Sequence, residues 1–504
     1  MLAAPRKYGY ALYVGLNALF FLVLAVGYGV GSPQNPRILY LVLLFALCST
    51  SVIDLDGLNA RYILLAIFLG FYFVYFGVQD LTNLFNGISV AEYEGALSLT
   101  EEVILVGQLL LILGYRFAVS VGNPVGRVRS SSDWSLRSVL TVGIVLWVVG
   151  IAATYYWYFF VVTDKTLEGT RGIASLGQWA SSGLVLAEML QPLGILLIAY
   201  GWRSTKSRML LLILMLILAA QVLCGFVIDI KGMAFTAASL VIVTMMLTDG
   251  RIPKAWIVGV IVFIYLTFPV FQAYRAVVTG NGVARTEVLA NLGKTLEKVF
   301  EATDRVNSGR GRAQTFLERL SLKASVQMIV NGTANGIPYQ RGYTLTPILS
   351  AFIPRILWSD KPDIPTGRIV NRVFHVTDQD ETYISPSHLG EMYWNFGWLG
   401  VLVGMTTVGG LCGLVARANL AECRTVTRLL IFVTTVEMLI HGFEGAVAGT
   451  YVVWLRSIAA VGLLHLIFAR TRVTGGSASP STSTQENTSR KLFEGDRLYP
   501  NLLR

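Results

Sequence analysis

The chain has 504 residues, 54% of them hydrophobic and only 14% charged, with a net charge of +10 and a mean hydropathy of +0.60. A water-soluble domain carries about 25% charged residues, so an ordinary soluble enzyme is excluded. Apolar runs of about 18 residues or more, enough to cross roughly 30 Å of hydrocarbon, recur along most of the chain and define an all-α integral membrane protein.

The N-terminus, Met1 to Lys7, is short and basic, and the long apolar stretch behind it lacks a small-residue cleavage pattern, so it is expected to remain as the first span. Spans are predicted near Tyr10 to Val30, Ile38 to Ile53, Tyr62 to Phe85, Glu102 to Ser120, Val139 to Val162, Trp179 to Trp202, Met209 to Ile228, Met233 to Leu247 and Ala255 to Gln272. Three more follow near Pro386 to Ala416, Val426 to Ile440 and Tyr451 to Phe468. The expected architecture is therefore a polytopic bundle of about twelve helices: about nine in residues 1–272, a large helical loop over 273–385, and about three in 386–470. The tail, 471–504, is rich in Gly, Ser, Thr and Gln and is expected to be disordered. No repeat or inverted symmetry of the transporter kind is evident. With the N-terminus inside, the inside segments hold fifteen Lys and Arg and the short outside loops only Arg37, Lys165, Arg171 and Lys231. Positive charge is retained on the cytoplasmic side, which predicts both termini in the cytoplasm and the long loop outside. Cys48, Cys224, Cys412 and Cys423 lie in or beside apolar segments without CxxC spacing and read as packing residues.

Within the loop, Thr286 to Val306 puts Leu289, Leu292, Leu296, Val299 and Phe300 on one helical stripe opposite Glu287, Lys294, Lys298 and Arg305. That pattern predicts a helix lying along the membrane surface. A second helix is predicted over Ala313 to Val330, with Arg319 and Lys323 one turn apart, a like-charge pairing that is unfavourable without an anion nearby.

Chemistry is expected in two constellations. Ser385 can cap a helix whose first position is Pro386 at the outer surface, and His388, Glu391 and Asn395 then share one face. A His and a carboxylate one turn apart can act as general base and orienting partner; equally, they can cap or solvate a helix end. The second constellation is basic: Lys231, Arg275, Arg319, Lys323, Arg341, Arg355, Lys361 and Arg456, and it points to an anionic substrate. Arg456 lies inside the last predicted span, where it needs a partner or a wet cavity. Glu188, Glu437 and Glu444 are similar polar exceptions, and for all four salt-bridged packing competes with function. The acidic runs Asp378-Asp380-Glu381 and Asp54-Asp56 read as polar turns, so no metal or other cofactor is expected. No GxxxxGK[ST], HExxH or GxSxG motif occurs, which leaves nucleotide hydrolysis and soluble-type protease or esterase chemistry without support.

The stretch Ile353-Pro354-Arg355-Ile356-Leu357-Trp358-Ser359-Asp360-Lys361-Pro362, followed by His388-Leu389-Gly390-Glu391-Met392-Tyr393-Trp394-Asn395-Phe396-Gly397-Trp398-Leu399-Gly400, resembles the bacterial O-antigen and exopolysaccharide repeat-unit polymerases of the Wzy type. Residue-level similarity is confined to about Arg341 to Gly404, with a weaker echo at Lys231 and Tyr274-Arg275. The resemblance implies an inner-membrane glycosyltransferase of the GT-C kind, related in architecture to O-antigen ligases. It would join undecaprenyl-diphosphate-linked oligosaccharides at the outer face by inverting transfer, without nucleotide sugar or obligatory metal. Some family members carry paired Arg-x10-Gly loop motifs, and none of the outer-loop Arg residues here has Gly at that offset. In that scheme His388 is the expected base with Glu391 as orienter. Arg355, Arg275, Arg319, Lys231 and Arg456 are expected to clamp the diphosphate, and Trp358, Tyr393 and Trp394 to stack on sugars. Expected partners are the lipid-linked oligosaccharide, membrane lipid and a chain-length regulator protein, and not nucleic acid. A ligase and a lipid-linked oligosaccharide flippase are the competing readings.

Overall fold

The structure, a computed structural model, describes residues 6–28, 35–54, 60–86, 97–121, 134–161, 183–184, 186–228, 231–249, 253–274, 277–278, 288, 291–309, 320–350, 353, 358, 365–377, 382–420 and 425–468. Among these residues seventeen α-helices are defined and no β-strand occurs. The first ten are α1 (Arg6–Tyr28), α2 (Asn35–Asp54), α3 (Ala60–Phe76), α4 (Val78–Phe85), α5 (Leu99–Ser120), α6 (Leu136–Tyr156), α7 (Leu190–Thr205), α8 (Arg208–Ile228), α9 (Lys231–Asp249) and α10 (Lys254–Tyr274). Then come α11 (Leu292–Gly309), α12 (Lys323–Ala334), α13 (Thr346–Ser350), α14 (Thr366–Phe374), α15 (Ser387–Leu420), α16 (Val426–Glu444) and α17 (Val447–Phe468). The expected disordered tail lies outside the described residues.

Eight of these helices, α1, α5, α6, α8, α10, α15, α16 and α17, are long and apolar enough to cross a membrane, and α3 with α4, bent by 43°, makes a ninth if the pair is one span. The other predicted spans also fall on helices, but shorter ones: the apolar parts of α2 and α9 are Arg37–Ser51 and Thr236–Thr248, and α7 has 16 residues. The bundle turns apolar side chains outward; on α10, Val258, Ile261, Val262 and Leu266 are all exposed, a face suited to lipid and unfavourable in water.

Local sequence explains several helix starts. Ser98 accepts a hydrogen bond from the Glu101 amide while the Glu101 carboxylate accepts one from the Ser98 amide, a capping box that fixes the start of α5. Ser135 does the first half of this for α6. The central contact is α5 against α15, and glycines bring the two backbones together: a β-carbon on Gly114 would strike the Thr406 carbonyl, and one on Gly409 the Leu111 carbonyl. In lipid, where apolar burial gives little drive between helices, such close packing is what holds them.

α15 is not the single span expected from Pro386. Phe396 (φ −140°, ψ 15°) and Gly397 (φ 58°, ψ −137°) break it into a short piece, 387–395, and a long one, 398–420. The short piece doubles back: a β-carbon on Gly400 would meet the Met392 carbonyl, and one on Gly404 the Met392 side chain. Ser387 and His388 consequently lie level with Met405 and Val408, with Ser387 only 1% exposed. The chain thus enters the bundle and the half-helix starts in its interior, not at an outer surface. Its cap is Ser387, which has φ 60° and accepts from the Gly390 amide at 3.1 Å, in place of the expected Ser385.

Of the loop helices, α11 packs on α10, with Val299 buried beside Ala273 and Tyr274 while Lys294 and Lys298 face outward. Phe300, expected on the buried stripe, is exposed. The second loop helix is described only from Lys323, after a break at Ser321 and Leu322, where the Leu322 amide donates to the Tyr75 carbonyl.

Candidate functional site

His388, Glu391 and Asn395 are all buried, and each faces a different neighbour. The His388 ring packs 6.0 Å from the Tyr451 ring and directly against Gly442. It lines a pocket of about 10 Å³ among Phe68, Tyr72, Leu111, Val408 and Phe443, room for about one water molecule. Glu391 Oε2 accepts from the Val447 amide at 2.6 Å, so this carboxylate satisfies a free N–H at the start of α17 and meets the positive end of that helix. Asn395 donates to the Thr344 hydroxyl and to the Glu391 carbonyl, each at 2.8 Å, and accepts from the Gly342 amide at 2.9 Å. The carbonyls of Trp394 and Asn395, freed by the break in α15, accept from the Gln340 and Arg341 amides. The three residues therefore weld the half-helix to the segment 340–344 and to α17, with His388 3% and Glu391 0% exposed.

Lys323, expected as an anion-binding cation, is buried and already neutralised. Its Nζ lies 2.5 Å from Asp80 Oδ2 and 2.8 Å from Glu101 Oε1, and 4.3 Å from the centre of the Tyr40 ring. Trp394, expected to stack on sugar, is fully buried with its ring centre 5.4 Å from that of Phe374, and Tyr393 is enclosed by Tyr339 and Trp398. Arg341 is exposed in a left-handed turn (φ 49°), and Trp358 is 39% exposed. Arg456 is exposed on α17 and does not line the cavity that Val453 and Ser457 of the same helix help to form. Arg275, Arg319, Arg355, Lys361 and the acidic run at 378–381 lie outside the described residues, as do the side chains of Lys231 and His441.

A cavity of about 640 Å³ lies elsewhere in the bundle, among α7, α8, α9, α16 and α17. Glu188, Gln191, Gln221, Thr434, Glu437, Thr450, Trp454 and Ser457 supply most of its polar lining, and Tyr383, just before the half-helix, closes one side. Partial burial pushes the Tyr383 phenol above its ordinary range, with the Glu391 charge as a second cause. No Lys, Arg or His is among the described lining residues. The sequence signal for this site is the pair of carboxyls interrupting apolar stretches at Glu188 and Glu437. Gln191, Gln221 and Thr434 carry no charge and give no such signal.

Residues 183–471 match the family model described as a domain of unknown function, DUF8712, and the chain belongs to that family. The match begins at the start of the cavity-lining segment and takes in α7 to α17. No curated protein and no solved structure matches the chain.

Proposed function

We propose that the protein is a membrane glycosyltransferase that joins undecaprenyl-diphosphate-linked oligosaccharide repeat units into polysaccharide at the outer face of the bacterial inner membrane. In this reading the chain crosses the membrane about twelve times with both termini in the cytoplasm, as its Lys and Arg distribution favours. The observation that carries the reading is the cavity of about 640 Å³, because Tyr383 of the segment bearing the polymerase-like residues shares its lining with two carboxyls and with Trp454. Its volume is that of a small-ligand site, about 300–1,000 Å³.

The acceptor hydroxyl attacks the anomeric carbon of the growing chain; a C–O bond forms there as the bond to the lipid diphosphate breaks, with inversion. The hydroxyl proton passes to a cavity carboxylate, Glu437 or Glu188, since His388 is sealed in its apolar pocket. The departing diphosphate takes the electron pair, and Arg355, Lys361, Arg275 and Arg319 are its proposed counter-charges. Purified protein in lipid should lengthen lipid-linked repeat units supplied alone, and Glu437→Gln should slow this by about a hundredfold or more if Glu437 is the base. Failure to lengthen them, with transfer to another lipid or protein acceptor, would make the enzyme a ligase.

A second reading has its own support: two carboxyls facing a membrane cavity with no cation among its described lining residues also suit a proton-coupled carrier. Translocation of the glycolipid across vesicles with no glycosidic bond formed would replace the enzyme by that carrier.

A further inference from the structure

The cavity wall holds polar atoms that the protein does not pair. Gln191 Nε2, Gln221 Nε2 and Thr434 Oγ1 have no hydrogen-bond partner, although their residues are only 6%, 1% and 6% exposed. All three residues line the same cavity as Glu188 and Glu437. Unpaired amides inside an apolar bundle are costly, so their retention at the wall of a cavity calls for a ligand with polar groups of its own. The set consists of amide donors, a hydroxyl and carboxyl acceptors. It matches the mixed donor and acceptor character of sugar hydroxyls. A diphosphate would meet two carboxyls and no described cation. Trp454 adds a fixed aromatic wall: its Nε1 donates to Thr435 Oγ1 at 3.0 Å and its ring stands at 87° to that of Tyr451, which holds the indole in place as a lining surface for the C–H side of a pyranose.

We infer that this cavity binds the neutral, polyhydroxylated sugar of the lipid-linked substrate, with Gln191, Gln221 and Thr434 as its hydroxyl contacts, while the diphosphate lies outside it. The inference deepens the glycosyltransferase reading and rests on it for the identity of the glycolipid. The test is a titration of the full-length protein in nanodiscs, followed by tryptophan fluorescence. Three probes are used: undecaprenyl diphosphate bearing N-acetylglucosamine, sugar-free undecaprenyl diphosphate, and free N-acetylglucosamine disaccharide. Trp454→Phe identifies the cavity signal. The sugar-bearing lipid should change the Trp454 signal, and the free disaccharide should do so more weakly. Gln221→Leu should weaken the sugar-bearing lipid at least tenfold and leave the sugar-free lipid unchanged, and Gln191→Leu, on a different helix, should repeat the result should the first variant fold poorly. Equal weakening of both lipids, unchanged binding in both variants, or displacement of the signal by an alkylamine and not by sugar would each overturn it. Chain extension is assayed on the same samples. Sugar-dependent binding without bond formation keeps the site and removes the enzyme reading; extension with both variants binding normally does the reverse.

Discussion

One oxygen of the Glu391 carboxylate is committed to backbone. With Oε2 on the Val447 amide, Glu391→Ala would leave a buried N–H at the first residue of α17 without an acceptor. A lost hydrogen bond to a charged group costs about 1.5–3 kcal/mol. Glu391→Ala should accordingly lower the melting temperature of the purified protein, with Glu391→Gln falling in between because its amide oxygen still accepts. A collapse of turnover in Glu391→Gln at an unchanged melting temperature would instead assign the carboxyl a chemical role. His388 makes the opposite prediction. Its pocket is walled by Phe68, Leu111, Val408 and Phe443, so His388→Leu replaces a ring in apolar surroundings with an apolar side chain of similar size. The expected change is less than about 1.5 kcal/mol in stability, with activity retained. A hundredfold loss of turnover in a well-folded His388→Leu protein would restore the imidazole as the base. His388, Glu391 and Asn395 do sit at helical spacings of three and four, as the sequence shows. Spacing along a helix does not show that the helix is itself enclosed, and enclosure decides their roles here.

Among the elements, α4, α5 and α12 meet at the Lys323 ammonium, held between Asp80 and Glu101 from positions 243 and 222 residues away in the chain. Removing the cation alone leaves two buried carboxyls facing each other. Lys323→Met should therefore cost about 3–5 kcal/mol, and the triple change with Asp80→Asn and Glu101→Gln should recover much of it, because neutralising the whole cluster removes the uncompensated charge. Thermal unfolding of the single and triple variants measures both; a single variant as stable as the parent would free Lys323 for a ligand. The sequence could not show this cluster, since it depends on two distant acidic residues, and Lys323 therefore looks like a free cation beside Arg319. The break in α15 was equally hidden, because Gly397 sits in an apolar run that also contains Gly400 and Gly404, and only one of the three has φ above zero. Gly397→Ala places a side chain at φ 58°, ψ −137°, where strain of about 1–3 kcal/mol is expected. That a helix runs through α11 was legible because a 3.6-residue stripe is local information; Val299 on that stripe is buried, whereas Phe300 falls at its edge and stays exposed.

At the scale of the whole molecule, the contacts between helix ends sort into two groups. At one end the Arg116 guanidinium donates to the Thr50 carbonyl and Arg417 to the Ala118 carbonyl, joining the last turns of α2, α5 and α15. The Trp134 indole donates to the Thr427 hydroxyl, which also bonds His465, joining the region before α6 to the start of α16 and the end of α17. At the other end stand the Lys323 cluster, the junction of Gln340 and Arg341 with α15, the Glu391 contact with α17, and the Tyr274 hydroxyl on the Val227 carbonyl. Arg116 and Arg417 therefore share one end of the bundle and Arg341 stands at the other, the separation that the expected alternation of Lys and Arg requires. Charge bias was legible because each loop contributes locally; the cavity between α7 and α17 was not, because it needs helices far apart in sequence to face one another. The sidedness has a direct test. In a background lacking the four native cysteines, Tyr339→Cys, at an exposed position beside the α15 break, should react with a membrane-impermeant maleimide on intact cells. Ser204→Cys, exposed at the end of α7, should react only after the membrane is opened. Reversal of the two would turn the protein over and place the half-helix and Tyr383 of the cavity wall on the cytoplasmic side, away from a lipid-linked glycan awaiting polymerisation at the outer face.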